Sequence, residues 1–60
     1  MMDQADQLVI EHLRASVERY RRLAAIHESF GETQKAADSR ALADLQEERA
    51  RRVERRLSTT

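Results

Sequence analysis

The chain's only glycine, Gly31, stands at the middle of sixty residues that include no proline. With one helix breaker at its centre, a helix-rich chain can form one long rod or two helices folded back on each other. Hydrophobic periodicity decides between them. Projected at ~100° per residue, Ile10, Leu13, Val17, Tyr20, Ala24 and His27 recur at alternating three- and four-residue spacing, which is an a/d seam. Carried onward, that seam would run through Gly31, Gln34, Asp38, Ala41, Leu45, Glu48, Arg52 and Arg55, of which only Ala41 and Leu45 are apolar. A fresh apolar pattern then starts in another phase, with Ala37, Ala41, Leu42 and Leu45, drifting toward Val53 and Leu57. Loss of phase at the sole glycine predicts a turn.

The expected fold is therefore all-α: an antiparallel helical hairpin in a single domain. Helix 1 is expected over about residues 3–29, the turn over about 29–33 and helix 2 over about 33–57, with a frayed tail at 58–60. Gly31 suits the left-handed position just past a helix end. Thr33 is the expected cap of helix 2 through its hydroxyl. A competing reading takes Ser29 and Glu32 as a capping box, S-x-x-E, starting that helix inside the loop.

A turn centred on residue 31 sets residue i beside residue 62 − i. Val17 then faces Leu45, Tyr20 faces Leu42, and Ile10 or Val9 meets Val53. Ile10, Leu13, Val17, Tyr20, Leu42, Leu45 and Val53 form the expected intrachain core. The acidic start (Asp3, Asp6, Glu11) comes alongside the arginine-rich end, and each group suits the helix dipole where it sits.

The apolar arc of helix 1 is wider than one partner helix covers. Leu8, Leu23, Ile26 and Phe30 extend it beyond the seam, and exposed patches of this kind mark interfaces. A chain of this length also buries too little surface to be robust alone, and without cysteine it has no disulfide to compensate. The expected solution is a homodimer of hairpins in a four-helix bundle, with a larger protein as the other possible partner. A further alternative is a chain that folds only on such a partner. The heptad Ala36, Ala43, Ala50 and Leu57 allows a second, close-packed helix contact, but the favoured reading is a neutral face, alanine being the best helix former.

Chemistry is sparse. Three residues before His12 and His27 stand Val9 and Ala24, so the Glu-x-x-His pairs of bundle metal sites are missing. Neither a His-Glu-x-x-His motif nor a glycine-rich phosphate loop is present. No catalytic residue, metal site or cofactor is expected, and the chain reads as a non-enzymatic interaction or adaptor module. His27 and Tyr20 read as residues of the seam.

The alternative function is nucleic-acid binding through Arg49, Arg51, Arg52, Arg55 and Arg56. Against it, formal net charge is zero and the pI is about 6.7. Glu47–Arg51 and Glu48–Arg52 also have the spacing of helical ion pairs, which favours a solvated, salt-bridged face. No stretch approaches the ~18 apolar residues of a membrane span, and the start lacks the form of a signal peptide. The expected location is cytoplasmic.

Overall fold

A computed structural model describes residues 4–58, and these form two helices, α1 (Gln4–Ser29) and α2 (Thr33–Ser58). They pack against each other as an antiparallel hairpin. The Cα atoms fill a slab 45 × 16 × 9 Å, one layer of helices thick. Asp3, expected to open helix 1, and the tail residues Thr59 and Thr60 lie outside the described residues. Ser58, expected in the frayed tail, is helical, and its hydroxyl donates to the Arg55 carbonyl at 3.0 Å.

The reversal at Gly31 has a definite mechanism. The Glu32 N–H donates to the His27 carbonyl at 2.8 Å and the Gly31 N–H to the Glu28 carbonyl at 3.0 Å. This 6→1 and 5→2 pair is a Schellman motif, which needs a left-handed residue at Gly31. Gly31 has φ 75° and is the only described residue with positive φ. Neither expected cap is used. The Ala36 N–H donates to the Glu32 carbonyl at 3.0 Å, so Glu32 occupies the cap position and Thr33 already lies in the first turn. The Ser29 hydroxyl donates backward to the Ile26 carbonyl at 2.7 Å and finishes α1 instead of opening α2.

On α1 the contact runs along the expected seam. Ile10, Val17 and Ala24 are buried, and Leu13, Tyr20 and His27 are half-buried. On α2 the expectation fails. Leu42 and Leu45, placed in the intrachain core by their size, are 43 % and 47 % exposed. The buried stripe is Ala36, Ser39, Ala43 and Ala50, continued by half-buried Gln46, Val53 and Leu57. The alanine heptad that reads as neutral is the packing face, with Ala36 and Ala43 only 1 % exposed. The large buried side chains, Ile10 and Val17, are on α1, whereas the buried positions of α2 are alanine and serine, and small residues let two helices approach closely.

The register differs as well. Arg14 pairs with Glu54, Arg21 with Glu47 and Glu28 with Arg40, so residue i lies across from residue 68 − i, not 62 − i. Val17 shares a groove wall with Ala50, and Ala24 with Ala43. Leu45 is not opposite Val17, nor Leu42 opposite Tyr20.

Candidate interaction face

The seam divides the slab into two faces of opposite character. Residues one place after Leu13, Tyr20 and His27 project to one side, as do those one place after Ser39, Gln46 and Val53. These are Arg14, Arg21 and Glu28, answered by Arg40, Glu47 and Glu54. Arg21 meets Glu47 at 2.8 Å, and Arg51 reaches the same carboxylate at 3.1 Å. This face is a ladder of three opposite-charge rungs, the one nearest the turn reversed in sign. Each exposed rung is worth about 0–1 kcal/mol, so the ladder selects register more than it adds stability.

Residues one place before Ala24 and Ala43 project to the other side, and these are Leu23 and Leu42. Each belongs to a stripe with 4-3-4 spacing, Arg19–Leu23–Ile26–Phe30 on α1 and Asp38–Leu42–Leu45–Arg49 on α2. All five apolar members are exposed, Phe30 most of all at 75 %. The expected interface residues Leu23, Ile26 and Phe30 thus come together here, joined by the two leucines removed from the core. Leu8, the fourth expected member, is exposed but stands fifteen residues, ~22 Å, from Leu23 along α1.

The polar ends of this face differ from the arginines opposite. Arg19 bonds the Ser16 hydroxyl at 3.2 Å and Arg49 the Gln46 side-chain oxygen at 3.1 Å, both neutral acceptors. Asp38 accepts from the Gln34 amide at 2.9 Å. Sequence reasoning weighed Arg49 and Arg19 only as members of basic clusters and gave neither them nor Asp38 a place on an apolar face. The repeated 4-3-4 spacing was the available signal.

The arginine cluster of α2 does not present one surface. Arg51 turns to the ladder face and its Glu47, while Arg52 and Arg55 hold Glu48 at 3.4 and 3.1 Å. Desolvation opposes ionisation of Glu48, yet hydrogen bonds from Arg52 and Arg55 outweigh it and hold its carboxyl below the usual range. At the turn, Glu32 takes a hydrogen bond from Lys35 at 2.9 Å and lies 3.3 Å from His27 Nδ1, and its carboxyl is likewise lowered, Lys35 being the larger cause. This cluster ties the last turn of α1 to the first of α2.

Among the described residues no group of three His, Cys, Asp or Glu side chains is placed to hold a metal ion. Every buried side-chain polar atom among them has a partner. None of their helices is long and apolar enough to cross a membrane. No family model matches the chain, and no curated protein or solved structure is significantly similar to it.

Proposed function

We infer that the protein is a non-catalytic interaction module that self-associates through the face carrying Leu23, Ile26, Phe30, Leu42 and Leu45. One observation carries this reading: the large apolar side chains of the turn-proximal half lie outside the seam and gather on one side of a single-layer slab. A layer buries its apolar side only against another layer. Covering this face with a second hairpin yields two layers, a four-helix bundle in which the charged ladders stay outside. The nucleic-acid reading has less support, because Arg51, Arg52 and Arg55 already hold carboxylates of their own chain.

The test is mass in solution by light scattering across a concentration series. The expected result is twice the 7.0 kDa of one chain, insensitive to high salt. A Leu23→Glu, Ile26→Glu double variant should fall to the single-chain mass while staying helical. If that variant remains assembled with an unchanged melting temperature, the contact lies elsewhere.

A further inference from the structure

The two stripes of the interaction face are level with each other in a specific way. The 68 − i relation sets Arg19 roughly level with Arg49, Leu23 with Leu45, Ile26 with Leu42 and Phe30 with Asp38. The face is thus a series of four rungs: a doubly cationic rung, two apolar rungs, and a rung that joins an aromatic ring to a carboxylate. Neighbouring rungs are ~5 Å apart. Read from either end, the middle pair is the same, and the outer pair is complementary.

Resting on the reading above, we propose that the occupant of this face is a second copy of the chain, turned end for end about a twofold axis that lies in the face between the Leu23/Leu45 and Ile26/Leu42 rungs. That operation packs α1 on the partner's α1 and α2 on the partner's α2, both antiparallel, with the two turns at opposite ends. Leu23 meets the partner's Ile26, and Leu42 meets the partner's Leu45. Arg49 meets the partner's Asp38. Arg19 comes over the ring of the partner's Phe30, where a guanidinium is attracted to an aromatic face. Because the contact is isologous, each of these occurs twice.

The other twofold arrangement, with the axis along the slab and both turns at one end, lays each rung on itself. Arg19 then falls on the partner's Arg49 and Arg49 on the partner's Arg19, four guanidiniums together, and Phe30 meets a carboxylate. Like-charge juxtaposition of that kind disfavours the wrong arrangement. The end-for-end dimer instead supplies a partner to both arginines that bond only neutral acceptors within their own chain. The next cations outward, Lys35 and Arg52, keep their own Glu32 and Glu48.

A charge-swap mixture separates these cases. Asp38 and Arg49 are exposed and contact only single side chains one turn away, so Asp38→Arg and Arg49→Asp should each keep the helical circular dichroism signal. Alone, each variant opposes like charges at both symmetry-related sites and should dimerise roughly tenfold or more weakly than the parent chain. Mixed in equal amounts, the two variants regain attraction at both sites. They should form a heterodimer close to parental affinity, read by light scattering and by exchange of a fluorescent label. A parent chain that dimerises while the mixture associates no better than either variant overturns the end-for-end arrangement and leaves self-association standing. Single variants that dimerise like the parent overturn it too. A parent chain that stays monomeric overturns self-association itself, and this arrangement with it.

Discussion

Gly31 carries the turn through its backbone alone. A Cβ added there would meet nothing within 4 Å, so the cost of a side chain is conformational and not steric. Gly31→Ala should therefore lower stability by about 1–2 kcal/mol, the left-handed penalty for a residue with Cβ. In thermal melts this amounts to roughly 4–8 °C per kcal/mol for a chain of this size, and Gly31→Asn should lose less, since asparagine visits that region more readily. Glu32 and Glu48 make a separate prediction in acid. Their carboxyls titrate below the usual range in the folded chain, so the stability they contribute is fully present above the ordinary carboxylate pKa of about 4.3 and is lost as pH falls through the lowered values. Melting temperature should drop across that window, and a Glu32→Gln, Glu48→Gln double variant should show a flatter acid limb. An unchanged limb would mean that these pairs are not held in solution.

Helices α1 and α2 divide the labour of packing unequally, and that division was only half legible beforehand. The seam of α1 is written in large apolar residues, so period and face could both be read from it. The seam of α2 is written in alanine, and alanine is ambiguous: it fills a neutral helical surface and a close-packed contact with the same letter. Leu42 and Leu45 drew the core to themselves by size, although size on a helix beside a wide apolar arc also signals a second interface. The register error has a geometric source as well. Side chains tilt toward the N-terminus of their own helix, and in antiparallel helices those tilts oppose. Side chains that meet therefore belong to Cα atoms that are not level, and a mirror placed at the turn gives too small a value. The corrected seam makes a contrast that the expected core does not. In the Leu23→Glu, Ile26→Glu background, where the outer face is uncovered, Ala43→Leu should cost about 1–3 kcal/mol by overfilling the seam. Leu45→Ala in the same background should change stability by no more than about 0.5 kcal/mol. Urea unfolding of both variants measures the difference, and a Leu45→Ala loss equal to that of Ala43→Leu would return Leu45 to the core.

For the molecule as a whole, association is expected to add much of the stability that the single hairpin lacks. Among the described residues the largest buried side chains are Ile10 and Val17, and no large side chain falls below 2 % exposure. Alanines supply most of the rest, and each buries too little apolar area to offset the ordering of its own backbone. A second layer over Leu23, Ile26, Phe30, Leu42 and Leu45 would bury five further large side chains per chain, each worth about 1.5–3 kcal/mol when fully removed from water. Stability drawn from that source must obey mass action. Raising the concentration a hundredfold stabilises a dimer by about 2.7 kcal/mol relative to its unfolded chains, which should raise its melting temperature by roughly 10 °C. The Leu23→Glu, Ile26→Glu variant should melt lower and at a temperature independent of concentration. A parent chain whose melting temperature stays fixed across that range would place its stability within the single hairpin. The alanine seam and its charged ladder would then suffice, and the apolar face would be free for a different protein.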